Sequence, residues 1–525
     1  MSALNITRSG ALIFFGLALP WASGTEAKTK EDLSNILKEI EAMKQSYESR
    51  IAALERQKVA DAQRIEALER RLSIRSVDTD ASLSSLGNAP SPQGKLSPVE
   101  GSNPAASSRQ YPQARSRELT GNGAADSSGA PDWGLNDHLK YENPDGDIPF
   151  AMRTNLSLEG RYSYFGRTAD WWQPNNTLPE SINNYSVIEL NRAMLGFSGY
   201  ALLHELVYNL ILFGSTSAGS LMPVGYLGYD WMPEVKGRIG VWKAPGTREW
   251  FEPYTESLGA DRTMATTYFR PNWTPGAWLE GLLRNGFSYQ AFVGNAFGGS
   301  SSNYQANRLG TGMLYAINGS WEPWGDMGFG ISDLGWHEQP VIRLGGSGVY
   351  QDIRDSADQG SSSNPDSTIF RVSNGTPLGA AGALGVDSVI HSASVYLATV
   401  DSSLKYQGFS IYTEFMYRYL ADFGYSGAAP SVSSLNDFGG ILQGSYFLIP
   451  KSLEIFARTS LVSGLYGTPW EAGGGWNWYP VAMVPNWIMT AEALYINGSP
   501  ADNLPTPYRA GEKGVVGQVQ VKLAF

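Results

Sequence analysis

VVGQVQVKLAF, residues Val515 to Phe525, reads as one extended strand with two faces. Val515, Gly517, Val519, Val521, Leu523 and Phe525 fall on one side, and Gln518, Gln520 and Lys522 fall on the other. A strand that is apolar on one face and polar on the other, ending on an aromatic residue, suits the closing strand of a barrel with lipid outside and water inside. Taken alone it suits the edge strand of a soluble sheet equally well. The rest of the chain decides between them.

Composition narrows the choice. In 525 residues there are 59 Gly, 27 Tyr and 16 Trp, the residue types of tight turns and of membrane-interface girdles. Beyond the amino terminus no window offers the roughly 20 apolar residues of a spanning helix, so a membrane crossing here requires strands. With no cysteine there are no disulfides, thiolate metal sites or cysteine nucleophiles. The net charge of −11, from 39 basic and 50 acidic residues, gives no general field to attract phosphates and argues against nucleic acid as a partner.

Residues 1–27 carry Arg8, the apolar run Gly10 to Ala22 and then small residues, the pattern of a secretory signal peptide, with a retained anchor as the alternative. Residues 28–73 hold one heptad register: Leu33, Ile40, Tyr47, Leu54 and Leu68 at d, and Leu37, Ile51, Ile65 and Leu72 at a, with Lys44, Lys58 and Asp61 as its polar exceptions. This predicts an α-helical coiled-coil stalk that associates with copies of itself, or a single amphipathic helix lying on the protein's own body. Residues 74–138, rich in Ser, Pro, Gly and Asn, cannot bury enough apolar surface to order themselves and read as a disordered linker.

From residue 139 to 525 the texture becomes short alternating segments. Strands are expected near 155–164, 192–199, 206–213, 222–231, 236–244, 277–284, 286–296, 309–319 and 326–335. Seven more are expected near 390–405, 409–420, 437–448, 453–463, 471–480, 487–497 and 514–525, with Ser367 to Ser373 left inside a long link. That gives an all-β transmembrane barrel of about sixteen antiparallel strands. Short turns such as 284–286 and 407–408 alternate with long links such as 245–276 and 336–389, as membrane barrels segregate their loops.

Ile188 to Gly199 (IELNRAMLGFSG), Gly237 to Pro245 (GRIGVWKAP), Lys405 to Phe409 (KYQGF) and Tyr446 to Glu454 (YFLIPKSLE) together resemble the phosphate-selective porin O and P family, in order, over most of residues 150–525. The resemblance implies a sixteen-stranded homotrimeric porin of the outer membrane, with a loop near 244–278 folded into the lumen as a constriction. The constriction candidates are Lys243, Arg248, Glu249, Trp250, Glu252, Arg262, Arg270 and Trp273, and this loop mixes signs where phosphate selectivity calls for a dense basic ladder. Strand parity places Arg161, Arg192, Glu280, Arg284, Glu414, Arg418, Glu454 and Arg458 on the lumen wall, with Arg161 beside Glu159, Arg284 beside Glu280, Arg418 beside Glu414 and Arg458 beside Glu454. Charges of both signs on one wall predict weak to moderate selectivity.

Most tryptophans, Trp242 and Trp278 included, are expected in interfacial girdles, with Trp250 and Trp273 as candidate solute contacts. The four histidines, His138, His204, His337 and His391, stand in no metal-ligand spacing, and no nucleophile motif stands in a strand-turn-helix context, so neither catalysis nor a cofactor is expected. The expected function is passive diffusion of small hydrophilic solutes and ions through the outer membrane of a Gram-negative-type bacterium, with the stalk in the periplasm. The alternatives are phosphate, anion or sugar selectivity, and a tether that joins the outer membrane to the cell wall through the coiled coil.

Overall fold

The computed structural model describes residues 140–143, 148–295, 312–353, 366, 369–481 and 487–524. The expected signal peptide, heptad stalk and linker, and Phe525, lie outside the described residues. Sixteen antiparallel strands follow in order: β1 (Phe150–Arg167), β2 (Tyr185–Ala201), β3 (Leu203–Ser215), β4 (Ser220–Met232), β5 (Val235–Lys243), β6 (Trp273–Leu282), β7 (Phe287–Gly294) and β8 (Leu314–Trp321). Then come β9 (Val341–Ile353), β10 (Ser388–Tyr406), β11 (Phe409–Gly427), β12 (Leu435–Ile449), β13 (Leu453–Ser463), β14 (Trp470–Trp478), β15 (Trp487–Asn497) and β16 (Lys513–Ala524). Each strand pairs with the next, and β16 pairs back to β1 from Gly514↔Arg167 to Ala524↔Ser157, which closes the barrel. Closure removes the unpaired edges that an open sheet would leave.

Alternation sets the two surfaces. On β16, Val516, Gln518, Gln520 and Lys522 are buried inside while Val515, Val519 and Leu523 stand exposed outside. Aromatic residues in register ring the outer face twice. Toward the long links, Tyr315 faces Tyr350, Tyr350 faces Tyr396, and Tyr396 faces Tyr419 across four adjacent strands. Toward the short turns, Tyr406 faces Phe409 and Phe409 faces Tyr446, while Phe287 stacks on Trp321 at 5.3 Å. The ten residue steps from Tyr396 to Tyr406, at about 3.4 Å each and tilted by about 40°, put the two rings about 25 Å apart, the height of a membrane's apolar band.

The ninth strand is not where alternation placed it. The segment 326–335 is irregular, and the strand is Val341–Ile353. Met327, Phe329, Ile331 and Asp333 do alternate in sequence, but Gly328 and Gly330 adopt φ of 69° and 70°, which no ladder accommodates. The Asp333 carboxylate further fixes the turn by accepting from Gly408 N (2.8 Å) and His337 N (3.3 Å). In the true strand Gly346 and Gly348 occupy outward positions, so the apolar face that marks other strands is missing. A Cβ on Gly346 would lie 2.7 Å from Thr399 O, which explains the small residue. The β8–β9 link, residues 322–340, is therefore long although it lies at the short-turn end. Of Ser367 to Ser373, the described part makes only an isolated bridge of Arg371 with Pro377.

Candidate functional site: the constriction loop and its wall

The β5–β6 link, residues 244–272, turns into the barrel and carries two short helices, α1 (Arg248–Phe251) and α2 (Met264–Phe269). Trp273 begins β6, so the inward loop ends before the 278 expected. Glu249 organises the loop itself. Its Oε2 accepts from Thr263 N (3.0 Å), Thr263 Oγ1 (2.6 Å) and Thr266 Oγ1 (2.6 Å), which ties α1 to the start of α2. Gln443 of β12 donates to its other oxygen at 2.8 Å.

The loop is then bonded to most of the circumference. Thr399 (β10) donates to Gly246 O, Arg248 N donates to Glu414 (β11), and Ala265 N donates to Ser460 (β13). Met264 N donates to Glu471 (β14) and Gln520 (β16) donates to Ala260 O. Arg161 (β1) and Arg192 (β2) both bond Asp261, at 3.2 and 2.8 Å. The wall from β10 round to β2 is thus the polar wall. The inner face from β3 to β9 is richer in apolar side chains, with Ile211, Phe213, Met222, Val224, Trp242, Trp278, Phe292 and Val349 buried in one core, but it also buries Asn209, Arg238, Glu280, Gln290 and Arg343. Tyr254 of the loop packs on Phe213 at 5.9 Å, and Trp250 packs on Trp273 at 5.9 Å. Trp242 and Trp278 therefore stand in the interior, not in a girdle, while Trp321, Trp470, Trp476, Trp478 and Trp487 are exposed.

The expected ion pairs along single strands are replaced by pairs across strands. Arg161 bonds Glu189 (2.8 Å) and Asp261, whereas Glu159 bonds Arg192 (3.0 Å). Arg418 bonds Asp437 (2.7 Å), and Glu414 instead holds Arg248 N and the Tyr412 hydroxyl. Arg458 bonds Glu492 (3.2 Å), while Glu454 accepts from Ser332 and Asn477. Alternate residues of one strand are about 7 Å apart and a directly opposed neighbour about 5 Å, so the neighbour wins for Arg192–Glu159, Arg161–Glu189 and Arg418–Asp437, while Arg458 reaches past Gly473 and Gly475 of β14 to Glu492 on β15. Glu280 is 3.4 Å from Arg238. Arg284 is not on the lumen wall at all: it lies exposed in the β6–β7 turn, past the end of β6.

Lys243 donates to Trp250 O (2.8 Å) and Glu252 O (3.0 Å), with its ammonium 4.3 Å from the Tyr254 ring and 4.9 Å from the Trp250 ring. Trp250 is fully buried beneath Arg270, whose guanidinium lies 4.1 Å from its ring, and Trp273 is buried beside it. These tryptophans are packing surfaces for cations, and solute does not reach them in this conformation. Arg248 also bonds Glu252 (3.0 Å) and the Ser403 hydroxyl. Arg262 and Arg270 share Asp366, which reaches in from the β9–β10 link; the Arg270 contact is 3.0 Å, and Tyr254 bonds the second oxygen. Burial brings Arg270 down to about 10. For Asp366 burial works the other way, but Arg262 and Arg270 hold its carboxyl below the usual range. Asp366 sits in a stretch of Gly, Ser and Asn with no pattern that marks it, which is why sequence reasoning missed it.

Along the seam between loop and polar wall, many buried polar atoms have no protein partner. They include Nε of Arg192, Arg262, Arg270 and Arg458, Nη2 of Arg248, Oε2 of Glu492, and Oε1 of Gln443, Gln518 and Gln520. Buried groups of this kind require water, so the seam from β10 to β2 is a hydrated part of the lumen, as is the smaller set on the opposite wall at Asn209, Arg238, Glu280 and Gln290. Both mouths carry further structure. At the short-turn end Lys405 holds the carbonyls of Met327 and Phe329 (3.1 and 3.0 Å). At the other end Trp172 donates to Asn374 O (2.9 Å), and Arg371 pairs with Asp502 (2.8 Å).

No protein-family profile matches the chain, and no curated protein matches it in sequence. Among solved structures it is similar to OprB of Pseudomonas putida, with 10% identity over 71% of this chain and 94% of that one and a TM-score of 0.42. It is also similar to an anion-selective porin from Comamonas acidovorans, with 11% identity over 72% and 100% and a TM-score of 0.42. OmpT of Vibrio cholerae in a trimer form gives 10% identity over 72% and 99%, with a TM-score of 0.43. Likeness at this level carries nothing about solute, assembly or compartment.

Proposed function

We propose that this chain is an outer-membrane channel for passive diffusion of small hydrophilic solutes and ions, weakly to moderately selective. The observation that carries the reading is the hydrated seam between the constriction loop and the polar wall, inside a closed barrel whose outer face bears an apolar band about 25 Å tall between two aromatic rings. Solutes follow the seam, because much of the opposite inner wall is covered by a buried apolar core. Guanidinium and carboxylate groups alternate along it, so neither sign of ion gains a continuous ring. That alternation speaks against phosphate selectivity, and the motifs that resemble the phosphate-selective porin O and P family support the channel class only. The channel asks no chemistry of the protein.

The amino-terminal segment extends the proposal: a signal peptide over 1–27, a self-associating stalk over 28–73 in the periplasm and a tether over 74–138, with the barrel assembling as a homotrimer in outer-membrane lipid. The dense bonding of the loop to nine strands favours a second reading, in which the barrel is chiefly an anchor and the stalk contacts the cell wall. Single-channel recording of the full chain in a planar bilayer decides. Expected are small, stable conductance steps and a reversal potential near zero in a salt gradient. Absence of any conductance overturns the channel reading, and membrane detachment after deletion of residues 29–72, with conductance retained, establishes the tether as well.

A further inference from the structure

At the long-link mouth three links converge on a hollow of about 390 Å³, within the size range of small-molecule sites. Trp172 forms one wall, with Glu180 directly opposite it in the two-residue ribbon of the β1–β2 link. Asn183, Arg371, Asp502 and Arg509 complete the polar lining. The indole is held in place: its Nε1 donates to Asn374 O at 2.9 Å, and its ring lies on Gly511, where a Cβ would come within 2.0 Å of it and where φ is +76°. Only glycine fits beneath the ring.

The lining says what this hollow takes. Its two cations are already engaged. Arg371 pairs with Asp502, and the Arg509 guanidinium is enclosed by the carbonyls of Asn503, Thr506 and Tyr508 at 2.8 Å each and of Leu504 at 3.1 Å. What remains toward the opening is acceptor-rich: the exposed Glu180 carboxylate, the Asp502 carboxylate that is one third exposed, and the Asn183 amide. Glu512, behind them, is pushed up to about 8 by burial and is neutral at pH 7, so its charge does not unbalance two carboxylates against two guanidiniums. A charge-balanced site that offers hydrogen-bond acceptors beside a rigid aromatic face suits a neutral ligand rich in hydroxyl donors and C–H surface. An anion would meet carboxylates, and a cation would gain no net field.

The geometry points to a docking site for neutral sugars at the outer mouth, with Trp172 as the stacking platform and Asp502 and Glu180 as hydroxyl acceptors. This rests on the channel reading for its purpose, since it places the sugar at the entrance to the seam, but the site is testable without current. Full-length protein in detergent is titrated by calorimetry with maltotriose, and separately with inorganic phosphate and with lysine. Expected is saturable maltotriose binding with Kd on the order of 1 mM, about tenfold weaker in Trp172→Leu and less affected in Trp172→Phe, which keeps a ring. Asp502→Asn, which leaves the platform in place, weakens it as well. Absence of saturable heat with maltotriose, equal binding by Trp172→Leu, or tighter binding of phosphate or lysine overturns the site. If the barrel conducts but these heats are absent, the sugar site fails and the channel stands; if heats appear without current, the channel reading is the one that fails.

Discussion

Arg192 on β2 and Asp261 at the far reach of the constriction loop form a 2.8 Å ion pair with both side chains 1% exposed. Arg161 shares the same carboxylate, and although burial opposes its charge, Arg192, Arg262 and Arg161 hold Asp261 well below the ordinary carboxylate range. Removing one partner of a buried pair leaves an uncompensated charge at a cost of about 3–5 kcal/mol. Asp261→Asn should therefore loosen the loop from β1 and β2, lower the thermal transition and give a larger, noisier current. Adding Arg192→Gln should destabilise further, because it leaves the buried Glu159 carboxylate without the guanidinium that pairs it at 3.0 Å. Unchanged current and melting in Asp261→Asn would show that the loop is held elsewhere.

Lys243 is enclosed by two carbonyls and aromatic rings at the base of the same loop. It acts as an anchor, not as a cation in the solute path. Lys243→Met keeps the stem and loses both hydrogen bonds, worth about 1.5–3 kcal/mol each to a charged donor. The expected result is a changed conductance with an unchanged reversal potential. A reversal potential shifted toward cations would place the ammonium in the path after all.

The barrel was legible because alternation is a property of sequence alone, and fifteen of the sixteen expected strands fall on observed ones. The ninth was not, because its outward glycines erase one face while 326–335 imitates a strand through residues that pack inward from a turn. Lumen parity was legible for Arg161, Arg192, Arg418 and Arg458, but their partners were not, since cross-strand register is invisible until the strands are paired. Nor could the sequence place Arg284 in a turn or announce that Asp366 would cross the lumen to two loop arginines.

Cysteine labelling checks the relocated strand. Single cysteines at Tyr350 and Leu344, which face outward from β9, should react with a lipid-soluble maleimide and resist a charged one. Cysteine at Asp326 should react with the charged reagent from the short-turn side. If Tyr350 reacts freely with the charged reagent, β9 does not lie in the apolar band.

Glu512 links pH to the order of the long-link mouth. Burial raises its pKa from 4.5 to about 8 against the pull of Arg509, whose N–H it accepts at 3.1 Å. The folded state thus holds the proton more tightly than the unfolded one, so this contribution is complete below about pH 4.5 and is lost as pH rises through about 8, at ~1.4 kcal/mol for each pKa unit. Limited proteolysis of the 498–512 link should accelerate as pH rises from about 4.5 to about 8 in the native chain and change little above that. Glu512→Gln should flatten that dependence; a rise of equal steepness in the variant would assign it to another group.

Asp366 decides the sign of the current if the seam is the path. Its carboxylate neutralises Arg262 and Arg270, and Lys243 and Arg192 stand close enough to feel it. Asp366→Asn removes one negative charge from between Arg262 and Arg270 without altering its size, so local anion concentration should rise and the reversal potential should move toward the anion limit. Because these groups are buried, 1 M salt should screen the shift only partly. Neutralising Arg262 and Arg270 together should move it the other way. The two shifts must have opposite signs for the cluster to lie on the path. An Asp366→Asn channel with native reversal potential and conductance would put the current elsewhere in the barrel, away from the loop to which these arginines belong.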